Sequence, residues 1–243
     1  MSKGARLTSE QLEELREFDS PTVWNALEGF GLSSNTTGFS YPGLELRTPS
    51  ARPMVGYAAT AKVAGWTKAE PEQKDLMFAF FEAIRAIDGP AVAVVQDTDA
   101  RPIGSFWGEV QATTCQALGA VGTLTQGGVR DLNEVGPLGF YLFSTELMVA
   151  RADSHVTEVG SPVTVSGLVI APGDLIHADV HGAVVIPAEA APDLAAACRR
   201  VTEAELSVLE PARAAIAAGV RPQVAEIRAW RAELAQRRPV RPT

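Results

Sequence analysis

The spacing of apolar residues near the start of the chain predicts a short amphipathic helix. Leu12, Leu15 and Phe18 recur at intervals of three residues, which places them on one side of a helix. Thr8 and Gln11 precede them with the spacing of a capping box, in which each side chain bonds the other residue's backbone amide. We therefore expect the first helix to begin directly after Thr8.

A second helix is predicted from the segment DSPT. Asp19 or Ser20 can accept a hydrogen bond from the first-turn amides, and Pro21 suits a position where no intrahelical donor is needed. Because glycine often follows the last residue of a helix, this one is expected to end near Gly29 or Gly31.

The middle of the chain predicts a β-α-β unit, preceded by one further strand and one further helix. The preceding strand is MVGYAATAKV, and the preceding helix is PEQKDLMFAFFEAIRAI, with Leu76, Phe80, Ile84 and Ile87 along one side. The unit consists of AVAVVQD as a strand, GEVQATTCQALG as a helix and AVGTLTQGG as a strand. If its strands are parallel, the loops that follow them lie at one end of the sheet, where open α/β sheets usually bind ligands.

Short apolar runs interrupted by glycine and proline predict hairpins further downstream. These runs are FYLFS, SPVTVSGLVIAPGDLIHAD and GAVVIP. From Ala188 the tail is rich in Ala, Arg and Glu, so it is expected to be helical with a break around Gly219 and Pro222. The last residues, RRPVRPT, are expected to fray.

Composition limits the size of the core and the classes of partner. The 243 residues, 46% hydrophobic and 21% charged, suffice for one main α/β domain with an added C-terminal helical segment. A net charge of −8 disfavours nucleic-acid binding, which depends on a basic surface. Cys115 and Cys198 lack C-x-x-C spacing, which excludes a disulfide framework and a cysteine zinc site. Without a secretory signal or a bilayer-spanning run, we expect a cytoplasmic protein that does not bind membranes.

Motif searches narrow the chemistry further. The chain has no phosphate-binding P-loop, no dinucleotide-binding glycine motif and no serine nucleophile elbow. The lysines all precede the β-α-β unit, at Lys3, Lys62, Lys68 and Lys74. Schiff-base chemistry at that unit would therefore need a lysine from elsewhere in the fold.

Two of the three histidines flank an aspartate in the segment HADVHG. On a strand, His177, Asp179 and His181 would point to one side and could form a metal cluster. They could instead make a polar strand face held by hydrogen bonds, and this arrangement is favoured because it is more common.

The helix of the β-α-β unit begins with a candidate anion site. Gly108 and Glu109 open this helix, and its first amides, near Val110 and Gln111, have no partners inside the helix. Free amides at a helix N-terminus bind carboxylates and phosphates.

The stretch LTQGGVRDLNEV, at the end of the unit, adds charged groups. Gly127 and Gly128 would let backbone and ligand approach closely, Arg130 offers a planar fork for a carboxylate, and Asp131 offers a hard oxygen for Mg²⁺ or Mn²⁺. Either charge alone could be an ordinary solvated surface charge. Together with the free amides they could hold a 2-keto acid on a divalent ion.

Three segments resemble the family that contains the regulator of ribonuclease activity A and the 4-hydroxy-4-methyl-2-oxoglutarate aldolases. They are MVGYAATAKV, FWGEVQATTCQALGAVGTLTQGGVRDLNEV and GDLIHADVHGAVVIP, and the similarity runs from about residue 19 to 187. Its most specific part is a glycine at a helix start followed about twenty residues later by R-D-x-x-E/D. Here this pattern is Gly108 and then Arg130, Asp131 and Glu134.

The resemblance implies an α/β fold of the swivelling β/β/α type, a single RraA-like domain with a C-terminal helical extension. The domain would span residues 1–187. The extension, residues 188–243, would pack on the same domain or on a neighbouring subunit. A homotrimer or homohexamer with sites at subunit interfaces is also implied.

The implied reaction is class II, metal-dependent aldol cleavage of a 4-hydroxy-2-oxo acid, which releases pyruvate and is often accompanied by oxaloacetate decarboxylation. The cofactor would be Mg²⁺ or Mn²⁺, with Asp131 as the metal ligand. Glu109 and Glu134 would hold waters on the ion or orient Asp131. The 2-oxo acid substrate would be bound by Gly108, Val110, Gln111 and Arg130.

Two further positions follow from the same resemblance. A glutamate from the next subunit reaches the site in the aldolases, and Glu205 is the candidate here, with Glu203 as a nearby competitor. Many relatives carry aspartate where this chain has Gln126, so the local negative charge is expected to be lower here.

Three functions remain open at this point. The first is the metal-dependent lyase. The second is a non-catalytic regulator that binds a ribonuclease through its surface, which would not require the set of Gly108, Glu109, Arg130, Asp131 and Glu134. The third is another metal-dependent enolising reaction on a 2-oxo acid, such as a tautomerase or hydratase reaction.

Overall fold

The structure is a computed structural model that describes residues 6–32 and 36–238. Its helices are α1 (Ser9–Leu15), α2 (Ser20–Glu28), α3 (Leu76–Arg85), α4 (Glu109–Ala117), α5 (Leu132–Val135), α6 (Leu194–Ala217) and α7 (Val224–Arg237). Its strands are β1 (Glu45–Leu46), β2 (Met54–Ala64), β3 (Ala91–Asp97), β4 (Ser105–Trp107), β5 (Ala120–Val129), β6 (Tyr141–Leu147), β7 (His155–Val159), β8 (Val163–Val165), β9 (Leu168–Ile170), β10 (Leu175–Asp179) and β11 (Gly182–Ile186).

One mixed sheet forms the centre of the molecule. Its main order is β1-β6-β5-β3-β2-β10-β11, with β4 beside β5 and β7 beside β2. The pairs β2/β3, β3/β5 and β5/β6 are parallel, whereas β10 is antiparallel to both β2 and β11. The expected β3-α4-β5 unit is therefore present, and the loops that follow its two strands lie at the same end of the sheet.

Helices cover one face of the sheet, and a separate antiparallel hairpin of β8 and β9 packs on the other. Neighbouring residues of β2 separate the two cores: Ala59 packs in a cluster with Phe80 of α3, whereas Ala58 packs in a cluster with Ile170 of β9. Side chains of a strand alternate between faces, so a strand buried on both faces must be apolar throughout. This requirement explains the apolar run that marked β3 and the largely apolar sequence of β2, in which Thr60 and Lys62 are the exceptions.

Both N-terminal helices begin where the capping signals predicted. The Thr8 hydroxyl accepts a hydrogen bond from the Gln11 amide at 3.2 Å, and the Gln11 side chain accepts one from the Thr8 amide at 2.9 Å. Asp19 caps α2 by accepting a hydrogen bond from the Thr22 amide at 2.8 Å, and Gly29 occupies the C-cap position. These local signals fix where the chain enters the helical layer.

Some elements differ from the sequence prediction. The helix expected over residues 71–87 is divided into a single 3-10 turn, Pro71–Gln73, and α3. The elements β1, β4, β7 and α5 were not predicted, because each has only two to five residues and lies outside the apolar runs that indicated the hairpins. Of these, β4 and α5 matter most, since they flank the end of β5.

The C-terminal helical extension comprises α6 and α7, with the expected break between them. The first half of α6 buries Leu194, Cys198 and Val201 against α1 and α2. No residue of α7 is buried. The fraying expected at the C-terminus concerns mainly residues 239–243, which lie outside the described residues. None of the described helices is both long and apolar enough to cross a bilayer.

Candidate active site

The candidate site forms where β5 ends beside the start of α4. Arg130 follows the last residue of β5, and its amide donates a hydrogen bond to the Trp107 carbonyl at 3.0 Å, which ties this strand end to β4. Asp131 has φ 59° and ψ 41°, a left-handed conformation that aspartate tolerates better than most residues. This sharp turn brings the Asp131 side chain to the N-terminus of α4.

Asp131 caps a helix other than the one it precedes. It occupies the N-cap position of α5 but makes no capping bond there, and its Oδ2 instead accepts a hydrogen bond from the Glu109 amide of α4 at 3.0 Å. The positive end of the α4 dipole stabilises a carboxylate at this point. The Asp131 side chain is 37% exposed, so it remains accessible to a ligand.

The start of α4 has no room for a side chain. A Cβ atom at Gly108 would lie 2.4 Å from Asp131 Oδ2 and 3.2 Å from Arg130 Nε. Any larger residue would push these two side chains away from the helix. The glycine in the sequence pattern is therefore explained by the close approach of the Arg-Asp pair.

A cavity of about 200 Å³ opens beside these residues. Five of the seven site residues expected from the sequence line it, namely Gly108, Val110, Gln111, Arg130 and Asp131. Arg130 Nε lies 3.6 Å from Asp131 Oδ2, and the Arg130 side chain is 40% exposed. The cavity thus combines a guanidinium, a carboxylate and the first-turn amides of a helix, which lack partners inside the helix. Such a set can bind a carboxylate and a cation side by side.

The other two expected residues, Glu109 and Glu134, lie outside the cavity wall. Both are exposed and occupy the first turns of α4 and α5. Within residues 6–32 and 36–238, no three His, Cys, Asp or Glu side chains are placed to hold a metal ion between them. A metal at this site would therefore depend on Asp131 together with water and substrate oxygens.

Gly127 and Gly128 make room for protein rather than for a ligand. A Cβ atom at Gly128 would lie 2.3 Å from Met148 Cγ, and one at Gly127 would lie 3.0 Å from Asp97 Oδ2. The expectation that they admit a ligand is thus wrong, because neighbouring side chains fill the space. Burial raises the pKa of Asp97, which lies under this part of β5.

Gln126 does not line the cavity either. Its Nε2 donates a hydrogen bond to the Asp97 carbonyl at 2.9 Å, and its Oε1 accepts a long one, 3.4 Å, from the Ser166 amide in the turn between β8 and β9. The side chain therefore faces the hairpin. The lower charge expected from this glutamine does not alter the cavity wall directly.

The histidines of HADVHG belong to a hydrogen-bonded network. His177 is fully buried, with Nδ1 3.0 Å from the Ser20 hydroxyl and Nε2 3.0 Å from the Phe18 carbonyl. Asp179 accepts hydrogen bonds from the amides of Ser20 and His181, both at 2.8 Å. Burial lowers the pKa of His177, which favours its neutral ring. His177 and Asp179 share a face of β10, as expected, but His181 lies in the turn beyond the strand.

Several cavity residues had no sequence signal. They are Met77, Ser105, Phe106, Arg151 and Ser154. Two of them lie on β4, and two lie in the loop between β6 and β7. Only the sheet order brings these segments to the end of β5, so no motif in the linear sequence could have identified them.

Glu205 is engaged within its own chain. Its Oε1 lies 3.1 Å from a terminal nitrogen of the Arg238 guanidinium. The part of α6 that precedes it packs with α1 and α2, in a cluster distinct from the one that contains the buried residues of α4. Its role at the site of a neighbouring subunit stays a prediction.

Comparison with known proteins identifies curated relatives of low identity. A protein of Halalkalibacterium halodurans that bears the provisional name 4-hydroxy-4-methyl-2-oxoglutarate aldolase is 26% identical over 152 residues, which cover 60% of this chain and 68% of that protein. The matched segments span only 16% and 51% of the lengths of two further curated relatives, each 28% identical over its segment.

Solved structures share the fold at low sequence identity. An uncharacterized protein of Pseudomonas syringae pv. tomato has a TM-score of 0.70 at 22% identity, covering 94% of this chain and 97% of that one. RraAS2 of Streptomyces coelicolor, described as an unusual member of the RNase ES inhibitor RraA protein family, has a TM-score of 0.65 at 22% identity, covering 86% and 98%. At these identities the likeness concerns the fold alone.

The family model described as RraA-like, Aldolase/RraA, matches residues 21–185, which is more than half of the chain and includes the whole candidate site. This protein therefore belongs to the RraA-like family, whose members include aldolases and ribonuclease regulators.

Proposed function

We propose that this protein is a divalent-metal-dependent carbon-carbon lyase, a class II aldolase that cleaves a 4-hydroxy-2-oxo acid and releases pyruvate. The observation that carries the proposal is the Asp131 carboxylate held at the first amide of α4 and 3.6 Å from the Arg130 guanidinium. A group that can bind a cation and a group that can bind an anion therefore lie next to each other in a small cavity. A 2-oxo acid bound to a divalent ion needs both.

The donor set fits Mg²⁺ or Mn²⁺ better than zinc. These hard ions are commonly bound by one or two carboxylates together with waters and substrate oxygens, whereas zinc sites use several nitrogen or sulfur ligands. No histidine or cysteine lines the cavity within the described part of the chain. Asp131, with one oxygen already bonded to the Glu109 amide, would be the residue that holds the ion.

Each residue of the cavity would have a defined task. Arg130 and the amides of Val110 and Gln111 would bind the carboxylate of the 2-oxo acid, with the α4 dipole favouring its negative charge. Cleavage breaks the bond between C3 and C4 and converts the 4-hydroxyl into a carbonyl. The electron pair of the broken bond stays on the pyruvate fragment as an enolate, which is then protonated. The bound ion would supply Lewis-acid stabilisation of the negative charge that develops on the enolate oxygen.

A proton must leave the 4-hydroxyl for this cleavage. Glu109 and Glu134 are exposed carboxylates in the first turns of α4 and α5, beside the cavity residues in sequence, and we propose that one of them accepts the proton through a water. Decarboxylation of oxaloacetate would produce the same enolate and would need no such base. A variant of the glutamate that acts as the base should therefore lose aldol cleavage more than oxaloacetate decarboxylation.

Two potential nucleophiles for covalent catalysis, a lysine and Ser105, find no support in the cavity as far as the structure describes it. None of the lining residues among residues 6–32 and 36–238 is a lysine, so a Schiff base has no nucleophile among them. The lining contains Ser105, but its hydroxyl donates to the Trp107 carbonyl at 2.5 Å and has no neighbouring histidine as a base. Both features favour metal-assisted chemistry.

Assembly into a homotrimer or homohexamer is part of the same proposal. Val110 and Val149, next to the cavity and to Arg130, are 81% and 95% exposed in a single chain. Large apolar side chains exposed beside a site often mark a contact with another chain. A neighbouring copy would cover them, and Glu205 or Glu203 could reach the site from that copy.

Pyruvate release tests the proposal most directly. 4-Hydroxy-4-methyl-2-oxoglutarate and oxaloacetate would each be supplied with Mg²⁺, with Mn²⁺ and with EDTA, and protein-free blanks would correct for spontaneous decarboxylation. Asp131→Ala and Arg130→Ala are the test variants, and Asp153→Ala, which changes an exposed carboxylate outside the cavity wall, is the matched control. We expect metal-dependent release that both test variants abolish and the control retains.

Other outcomes would separate the remaining functions. Release that survives EDTA, or that persists in Asp131→Ala, would contradict the metal-dependent lyase. No release from folded protein would favour a regulator that binds a ribonuclease, or a tautomerase or hydratase reaction on another 2-oxo acid. Deuterium exchange at C3 of a 2-oxo acid would reveal enolisation. It would therefore distinguish the enzymatic tautomerase or hydratase reaction from the non-catalytic regulator.

A further inference from the structure

Among the described residues that line the cavity, two are positively charged and one is negatively charged. Its charged residues are Arg130, Arg151 and Asp131. Arg130 lies 3.6 Å from the Asp131 carboxylate, whereas none of the ion pairs between described residues includes Arg151. Arg151, a lining residue of the cavity, therefore brings a second guanidinium group that pairs with no carboxylate in the described part of the chain. Such a group attracts an anion.

The backbone that carries Arg151 is firmly positioned. The preceding residue, Ala150, accepts a hydrogen bond from the Ser105 amide of β4 at 2.8 Å, and the Arg151 carbonyl accepts one from the Ser154 amide at 3.3 Å. A Cβ atom at Gly104 would lie 2.4 Å from the Arg151 carbonyl, so this turn packs directly against the chain before β4. A side chain carried on a fixed backbone segment loses less conformational freedom on binding than one on a mobile loop.

Arg151 and Arg130 reach the cavity from different segments. Arg130 and Asp131 follow β5, whereas Arg151 and Ser154 belong to the loop between β6 and β7. The cavity volume of about 200 Å³ leaves room for a short organic acid. A molecule of this size held at one end by Arg130 can present its other end to Arg151.

We infer that Arg151 is a specificity-determining residue, which binds a second carboxylate at the far end of the 2-oxo acid. The site then prefers 2-oxo diacids to 2-oxo monoacids of the same chain length. The inference rests on the proposed function for the orientation of the ligand, with its 2-oxo end at Arg130 and Asp131. A guanidinium binds a carboxylate through two parallel hydrogen bonds, so its loss affects the diacid and spares the monoacid.

Binding of two unreactive ligands tests this inference independently of catalysis. 2-Oxoglutarate and 2-oxopentanoate have the same chain length and differ only in a terminal carboxylate or methyl group. Isothermal titration calorimetry on the full chain with Mg²⁺ is expected to give a preference for 2-oxoglutarate of about tenfold or more, as lost charge-assisted hydrogen bonds imply. Arg151→Gln should remove this preference without weakening 2-oxopentanoate binding, and Arg151→Lys should retain part of it.

Arg101→Gln is the matched control, because Arg101 is also exposed but does not line the cavity. It should keep the diacid preference. Equal effects of Arg151→Gln on both ligands, no effect on either, or the absence of binding by the wild-type chain would each overturn the inference. Arg151 is exposed, and circular dichroism of the variant would verify that the fold is kept.

Catalysis supplies a second test with the matched substrates 4-hydroxy-2-oxoglutarate and 4-hydroxy-2-oxopentanoate. Arg151→Gln should lower kcat/KM for the diacid by about tenfold or more and change that for the monoacid by less than about twofold. If the wild-type chain releases no pyruvate but still binds 2-oxoglutarate through Arg151, the proposed reaction fails and the diacid preference stands. If it cleaves both substrates equally well, the reaction stands and the role of Arg151 fails.

Discussion

Two polar clusters lie at strand ends in this protein, and they differ in what their atoms contact. The β5 site, Arg130 and Asp131, opens on a cavity, and both side chains are more than a third exposed. The β10 network, His177, Asp179 and His181, is tied to α2 and to its own turn, with His177 fully buried. Similar residue types are therefore accessible to a ligand in one place, whereas in the other the central histidine is buried among protein partners.

The difference shows how to tell a binding site from a structural network. In the β10 network, the polar atoms of His177 and Asp179 form hydrogen bonds with protein groups. Removing one of these side chains therefore leaves its partner buried and without a hydrogen bond. In the β5 site, Asp131 uses one hydrogen bond to hold its position and stays open to a ligand. A mutation should thus cost stability in the network and activity in the site.

Asp131→Asn is expected to have the largest effect. Asparagine also tolerates the left-handed backbone, and its side-chain oxygen can still accept a hydrogen bond from the Glu109 amide. The substitution does, however, remove the charge that would hold a cation. We expect kcat/KM for pyruvate release to fall by a factor of about a hundred to a thousand, or roughly 3 to 4 kcal/mol of transition-state stabilisation. The free energy of unfolding should change by less than about 1 kcal/mol.

The matched substitution in the network is Asp179→Asn, which should show the reverse pattern. Pyruvate release per folded molecule and urea unfolding would be measured for both variants. If Asp131→Asn kept about half of the wild-type activity, the β5 site would not be the reaction centre.

His177→Ala should cause the next largest change, in stability rather than activity. The substitution removes the partner of the Ser20 hydroxyl and of the Phe18 carbonyl in a buried setting. Leaving such groups unsatisfied costs about 1 to 3 kcal/mol each, and we expect a total loss of about 2 to 4 kcal/mol in the free energy of unfolding. Urea unfolding followed by tryptophan fluorescence measures this loss.

His181→Ala is the control for that prediction, since the His181 side chain is 55% exposed. It should cost less than about 1 kcal/mol. Equal losses in the two histidine variants would show that burial does not distinguish them. A large loss of pyruvate release per folded molecule in His177→Ala would instead connect the network to the site.

The comparison also marks how much of the protein follows from its sequence. Local signals sufficed for α1 and α2, because caps involve neighbours in the chain, and for β2 and β3, because burial on both faces demands mostly apolar residues. The Arg-Asp pair and Gly108 were also visible, since their close approach restricts residue type. The role of Gly128 was misjudged, because its partner, Met148, lies on a neighbouring segment that only the sheet order brings close.

The rest of the cavity wall depends on topology. Ser105 and Arg151 lie on β4 and on the loop after β6, which meet only because both strands flank β5. The sequence also left open whether the HADVHG residues bind metal or each other. The structure shows that His177 is buried and that His177 and Asp179 bond Ser20 of α2, and neither feature can be derived from spacing along one strand.

Gly108→Ala tests the geometry of the β5 site and should have an intermediate effect on pyruvate release. The added Cβ would lie 2.4 Å from Asp131 Oδ2, so the carboxylate must move away from the α4 amide. We expect pyruvate release to fall by about ten- to a hundredfold, equivalent to roughly 1.4 to 2.8 kcal/mol. Gly136→Ala is the control, because its φ of −53° is helical and its Cβ would meet nothing nearer than Pro49 at 3.6 Å. Similar activities of the two variants would contradict the close packing at Gly108.

The smallest effect concerns the pH dependence of stability and tests the β10 network alone. Burial lowers the pKa of His177 below its ordinary value of 6.5, so the unfolded chain takes up this proton at a higher pH than the folded one. The stabilising contribution is thus complete above pH 6.5 and is lost as the pH falls from there towards the lowered pKa, with a slope of at most about 1.4 kcal/mol per pH unit. Burial raises the pKa of Asp97 and of Asp174 above their ordinary value of 3.8. These two carboxyls therefore make stability change with pH in the opposite direction, but at lower pH, so the measurement belongs between about pH 7.5 and pH 5.5. Urea unfolding across this range should show the slope in the wild-type chain and in His181→Gln, and His177→Gln should flatten it. A slope that persists in His177→Gln would assign the proton uptake to another group and would remove the neutral buried ring from the account of the network.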